Sequence, residues 1–137
     1  MKTAIYLLLA AVAFTGCTSR PAANVDAPQV VAKAGVSEIS PQEAKAGTEA
    51  AYAQFIDVRT REEYAGGHAA RTRNIPLDEL PNQLGSLERN EPVYMICRSG
   101  ARSKKAADIL VDNGFRQAIS ISGGTEAWQA AGLPMAQ

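Results

Sequence analysis

From Ser40 onward, short apolar runs alternate with segments whose apolar positions recur at helical spacing. Ser40-Pro41-Gln42-Glu43 has the spacing of a capping box with proline at the first helical position, and Thr60-Arg61-Glu62-Glu63 repeats that spacing after the apolar-rich stretch Gln54 to Val58. In each, a hydroxyl can accept from the N–H three residues on while the glutamate reaches back to the cap's own N–H, so each predicts a helix start. Asp78 is placed to cap a helix carrying Leu80, Leu84 and Leu87 on one face, with Pro81 in its first turn. Val93 to Ile96 is apolar throughout, as in a strand buried on both faces of a parallel sheet. Ala106, Ile109 and Leu110 predict the apolar face of the next helix, ended at Gly114. Ala118 to Ile121 predicts another strand, and a last helix follows the turn Gly123-Gly124, with Ala127 and the core residue Trp128. Alternating βα units predict an α/β layer fold with a mostly parallel central sheet and helices on both faces, its ligand site outside the carboxyl ends of the strands.

The first 35 residues lack this pattern. Lys2 precedes the apolar stretch Ala4 to Phe14, eleven residues, too short to span a bilayer but suited to the h-region of a secretory signal. It ends Phe14-Thr15-Gly16-Cys17, which resembles the lipobox of bacterial lipoproteins, where the cysteine is acylated and becomes the mature N-terminus. Phe14 departs from the usual leucine, and a cleavable signal without lipid is the alternative. The sequence thus predicts a lipoprotein-type signal peptide over residues 1–16, a lipidated Cys17 with a flexible tether over 17–35, and one domain over 36–137. The tether is rich in Ala, Pro, Ser and Val with no sustained period, and its eighteen residues after Cys17 could reach roughly 60 Å when extended. By the lipoprotein resemblance, Thr18 in place of the aspartate associated with inner-membrane retention implies a place in the cell envelope, with the anchor in the outer membrane and the domain facing the periplasm.

Charge narrows the partners. Fourteen Lys plus Arg balance fourteen Asp plus Glu, and no basic run exceeds Lys104-Lys105, so nucleic acid is not indicated. Of the two cysteines, Cys97 has no intramolecular partner if Cys17 carries lipid. One histidine and one free cysteine are too few ligands for a metal, and the domain is expected to need no cofactor and to act as a monomer.

Cys97 follows the apolar run and opens the segment Cys97-Arg98-Ser99-Gly100-Ala101-Arg102-Ser103 ahead of a helical pattern. A strand that ends in cysteine, turns on glycine and enters a helix aims backbone N–H groups and the positive end of the helix dipole at the sulfur. Arg98 and Arg102 add permanent cations, so the thiol is expected to ionise below its free value of about 8.5. An inert packing cysteine is the bland alternative, but it would need neither flanking arginines nor a glycine turn. Ser103 is expected to cap the following helix.

Asp57-Val58-Arg59, Glu63-Tyr64, Gly67-His68, Asn74-Ile75-Pro76, Cys97 through Arg102, and Gly123-Gly124 with Trp128 together resemble the single-domain rhodaneses, sulfurtransferases of the rhodanese-like fold. Arg71 is a departure, standing where that family usually has glycine and placed to add positive charge near the pocket. The resemblance implies a cradle sized for one sulfur atom. Related phosphatases and arsenate reductases put five residues between cysteine and arginine, whereas here four intervene and Ser103 holds the seventh position.

By the same resemblance, Cys97 is the nucleophile. It attacks the outer sulfur of a small anionic donor such as thiosulfate, releases sulfite, and holds a persulfide against N–H groups of Arg98 through Ser103 until a thiol or cyanide acceptor removes it. Arg98 and Arg102 would bind the donor, Asp57 and Arg59 would form a structural charge pair near the loop, and Glu63 would neutralise Arg98 or another loop arginine. His68, the only histidine, reads as a loop anchor and not as the base of a Cys–His hydrolase. A persulfide carrier or redox partner for a specific envelope protein, with little turnover on thiosulfate, would use the same loop. An idle tethered binding module would have no need of Cys97.

Overall fold

The computed structural model describes residues 35–137; the signal peptide, Cys17 and the tether up to residue 34 lie outside the described residues. Five strands, β1 (Ser37–Ile39), β2 (Gln54–Asp57), β4 (Arg73–Asn74), β5 (Val93–Ile96) and β6 (Ala118–Ile121), form one sheet in the order β1-β6-β5-β2-β4, parallel at every pairing. β3 (His68–Ala69) and β7 (Met135–Ala136) make a separate antiparallel ribbon.

Alternation along the central strands sorts their side chains into two cores. Ile56, Val58, Val93, Met95, Cys97 and Ala118 point to one face, where Ala106, Ala107 and Leu110 of α4 (Ala101–Asp112) and Leu80 of α3 (Leu80–Gln83) cover them. Phe55, Ile96 and Ile121 point to the other, against Ala44 of α1 (Pro41–Glu49) and Trp128 of α5 (Gly124–Ala130). Phe55 and Trp128 pack with ring centroids 5.2 Å apart. Helices therefore lie on both faces, and the all-apolar reading of Val93 to Ile96 is explained: that strand sits mid-sheet and is covered from both sides.

Both capping boxes form as read. Ser40 and Thr60 each accept from the N–H three residues on, at 3.3 Å, and Glu43 and Glu63 return to the cap N–H groups at 2.8 and 3.1 Å, starting α1 and α2 (Arg61–Ala65). The third predicted start is corrected. Asp78 does not cap; the helix begins at Leu80 after Glu79 with no side-chain cap and lasts one turn before passing into a 3-10 turn at Leu84–Ser86. Leu80 and Leu87 are nonetheless buried and Leu84 packs against them, so the apolar face was real while the helix was not continuous. Among the described residues no helix is long and apolar enough to cross a membrane.

Arg71 is the only non-glycine residue with positive φ among the described residues, at 69°. A side chain there costs about 1–2 kcal/mol relative to glycine. Its expected place near the pocket is also corrected: it borders a hollow with Ala53, Gln54, Arg73 and Ser86, by the amino end of β2, whereas Cys97 follows the carboxyl end of β5.

Candidate active site

β5 delivers Cys97 to the carboxyl edge of the sheet, Gly100 turns the chain in a left-handed conformation with φ 105°, and α4 begins at Ala101. The cysteine is 1% exposed. The Gly100 N–H donates to Sγ at 3.1 Å, and the sulfur lies 3.6 Å from the Ser103 hydroxyl. Burial pushes the thiol up and is the largest single influence, but it is outweighed by hydrogen bonds from the N–H and hydroxyl of Ser103 and the N–H groups of Gly100 and Ser99. The net result is a thiol below its usual range.

A second helix supports the loop from behind. The Thr125 N–H donates to the Cys97 carbonyl at 2.7 Å and the Glu126 N–H to that of Arg98 at 3.3 Å. This approach requires Gly124, since a Cβ there would collide with the carbonyl oxygens of Cys97 and Arg98, and its φ is +58°.

Ser103 is not the helix cap. Gly100 occupies that position without a side-chain bond, and Ser103 sits in the first turn, fully buried. Its hydroxyl donates to the Gly100 carbonyl at 2.9 Å and lies 2.8 Å from the Ser120 hydroxyl on β6. Ser120 was not singled out from the sequence; the available signal was a serine inside the apolar strand Ala118-Ile119-Ser120-Ile121, which must find a partner when buried.

Both loop arginines are engaged by carboxylates. Arg102 grips Glu63 bidentately, at 2.6 and 2.8 Å, with each side chain about one-third exposed. The Arg102 hydrogen bonds hold the Glu63 carboxyl down at about 2. Arg98 reaches away to Glu126 at 2.8 Å, both side chains more than half exposed. The arginine that Glu63 meets, left open by the sequence, is thus Arg102.

Asp57 and Arg59 form a buried pair. The carboxylate accepts from Arg59 Nε at 3.0 and 2.9 Å, from Nη2 at 2.8 Å and from the Arg59 backbone N–H at 2.9 Å, while Nη2 also bonds the Gly67 carbonyl at 2.8 Å. The pair ties β2 to the turn that carries His68. His68 stacks on Tyr64 with centroids 3.7 Å apart, and its Nδ1 lies 3.0 Å from the Tyr64 carbonyl. A hollow of about 390 Å³ is walled by Arg59, Glu62, Glu63, Thr125, Glu126 and Gln129, among others; no residue of the Cys97–Ser103 loop lines it, but Glu63 and Glu126, the partners of Arg102 and Arg98, do.

A strand-to-helix loop with N–H donors converging on a buried sulfur binds extra electron density on that sulfur, and four residues between Cys97 and Arg102 keep the ring of donors small. The rhodanese-like domain family matches residues 40–131. The chain belongs to that family. Similar rhodanese-like proteins include thiosulfate sulfurtransferase GlpE of Actinobacillus pleuropneumoniae, 32% identical over 99 residues, 72% of this chain and 92% of that protein. The uncharacterized protein YqhL of Bacillus subtilis is 40% identical over 76 residues, 56% of this chain, which spans only 60% of its length. Also similar is the putative sulfur carrier protein YrkF of Bacillus subtilis, 36% identical over 54% of this chain and 40% of that protein. The rhodanese fold is equally clear in structure: the crystal structure of a rhodanese-like domain protein from Staphylococcus aureus superposes with a TM-score of 0.62 at 38% identity, covering 67% of this chain and 90% of that one.

Proposed function

We propose that this rhodanese domain is a sulfurtransferase in which Cys97 carries sulfane sulfur as a persulfide between a donor, thiosulfate or a related compound, and a thiol or cyanide acceptor. The observation that carries the reading is the convergence of the Ser99, Gly100 and Ser103 donors on a buried sulfur at the base of a six-residue loop. With thiosulfate, the Cys97 thiolate attacks the outer sulfur, the S–S bond breaks, and sulfite leaves with the bonding pair. The persulfide keeps its negative charge on the terminal sulfur, where N–H donors stabilise it. An acceptor thiolate attacks that terminal sulfur and returns Cys97 as thiolate. Ser103 holds the position where a phosphatase loop of five intervening residues would place arginine, which supports sulfur over phosphoryl chemistry.

Membership alongside a relative named as a sulfur carrier favours one second reading, in which the same persulfide is handed to a specific protein with little turnover on thiosulfate. The deciding experiment is thiosulfate:cyanide sulfur transfer by the wild type and by Cys97→Ser. Activity lost in the variant supports the enzyme; an inactive wild type that still takes up sulfur supports the carrier; activity retained in Cys97→Ser ends both.

We further propose that the protein is held in the cell envelope by acyl chains on Cys17, at the outer membrane and facing the periplasm, on the strength of the Lys2 to Cys17 pattern. Cys17→Ala should then release the domain from washed membranes, and undiminished membrane association would rule this out.

A further inference from the structure

Arginine recognises oxyanions by presenting a planar fork of N–H donors, and that fork binds one partner well at a time. Both terminal nitrogens of Arg102, at the end of the Cys97 loop, already address the two oxygens of Glu63 at 2.6 and 2.8 Å. Ordinary exposed ion pairs are weak because two long side chains must be ordered to make them. Glu63 is ordered beforehand: its carboxylate also accepts from the Thr60 N–H at 3.1 Å, and its own N–H donates to the Thr60 hydroxyl at 3.3 Å. Arg98 has its own carboxylate in Glu126, and the hollow lined by these carboxylates sets Glu62, Glu63 and Glu126 against Arg59, which is bonded to buried Asp57. An incoming dianion therefore finds the Arg102 fork filled, and only the exposed Arg98, bonded to Glu126 through Nε alone, left to meet it.

We infer that Glu63 is a specificity-determining residue, an internal carboxylate that fills the Arg102 fork and so sets the site toward sulfane donors carrying one negative charge or none over the thiosulfate dianion. This rests on the sulfur-transfer reading above. The chemistry is the same for either donor class. With thiosulfate, Cys97–S⁻ attacks the outer sulfur and SO₃²⁻ leaves; with methanethiosulfonate, a near-isostere in which a methyl group replaces one anionic oxygen, the same attack expels methanesulfinate. In both, one S–S bond breaks, one forms, and no oxidant or reductant is needed.

Glu63→Gln isolates the charge, because glutamine can still accept from the Thr60 N–H and complete the capping box. Persulfide formation is followed in single turnover against donor concentration, with thiosulfate and methanethiosulfonate as paired donors whose ratio cancels intrinsic reactivity. The variant should raise the thiosulfate-to-methanethiosulfonate ratio of second-order rate constants by about two- to fivefold, through tighter half-saturation by thiosulfate and not a faster limiting rate. In an Arg102→Ala background the same substitution should leave the ratio unmoved, since Glu63 acts through that guanidinium. An unchanged or lowered ratio in Glu63→Gln, or an equal rise without Arg102, would overturn the inference. Failure of the wild type to acquire sulfur from either donor would instead overturn the sulfur-transfer reading, and the inference with it.

Discussion

Ser103→Ala tests how the loop activates its thiol. The substitution removes a hydroxyl 3.6 Å from Cys97 Sγ and leaves the N–H donors of Ser99, Gly100 and Ser103 in place. That hydroxyl accepts from the neutral thiol while donating to the Gly100 carbonyl, and it can turn its proton to the sulfur once the thiol ionises. A hydrogen bond to a charged group contributes about 1.5–3 kcal/mol, and the long separation here argues for the bottom of that range. Losing a stabilising bond to the charged form should make the thiol titrate higher, and about 1.4 kcal/mol is a factor of ten in thiolate fraction at a given low pH. The rate of alkylation by iodoacetamide, measured from acid to alkaline pH, should then fall about tenfold at pH values below both pKa values. A second effect is separable. Among the described residues the Ser120 hydroxyl bonds only Ser103, so the variant leaves it buried and unpaired, at about 1–3 kcal/mol in urea unfolding, whereas the Gly100 carbonyl keeps the Lys104 N–H at 3.1 Å. Adding Ser120→Ala should recover part of the lost stability without restoring the thiol pKa. An unshifted alkylation profile in Ser103→Ala would refute the claim that this hydroxyl stabilises the thiolate.

Three further outcomes follow from the same geometry. Glu63 is lowered from 4.5 to about 2 in the folded chain, so the stability it contributes is fully present above 4.5 and is lost as pH falls through about 2; acid unfolding over that window should be shallower for Glu63→Gln. Asp57→Ala should destabilise the domain by about 3–5 kcal/mol in denaturant titration, because it strands the buried Arg59 guanidinium, and a loss under 1 kcal/mol would contradict the clamp. Inserting one residue between Ala101 and Arg102 widens the ring of donors beyond a single sulfur, so persulfide formation should drop sharply while circular dichroism stays native; unchanged persulfide formation would defeat the loop-size argument.

What could be read in the sequence was what is local. A capping box closes within four residues, so Ser40, Glu43, Thr60 and Glu63 announce their own geometry, and the apolar Val93 to Ile96 reports burial on both sides without reference to a partner. β1, β4 and the β3–β7 ribbon left no such mark: they are two or three residues long, and β3 finds its partner more than sixty residues away. The loop's identity was legible, yet its internal bookkeeping of donors was not. Gly100 takes the cap position through its left-handed φ, which moves Ser103 one turn inward and converts an expected capping serine into a buried contact between Cys97 and Ser120. Likewise the partners of Arg98 and Arg102 depend on helices 28 and 39 residues away, distances over which spacing alone carries no information.

Sulfur on Cys97 can be weighed directly. Purified domain is incubated with thiosulfate, freed of small molecules and measured by intact mass, with the modified peptide then located by fragmentation. A gain of about 32 Da, one sulfur, should appear on the Cys97 peptide, disappear on adding cyanide or a dithiol, and be absent from Cys97→Ser. The same gain in Cys97→Ser, or no gain in wild type with either thiosulfate or methanethiosulfonate, would contradict a persulfide carried by this cysteine.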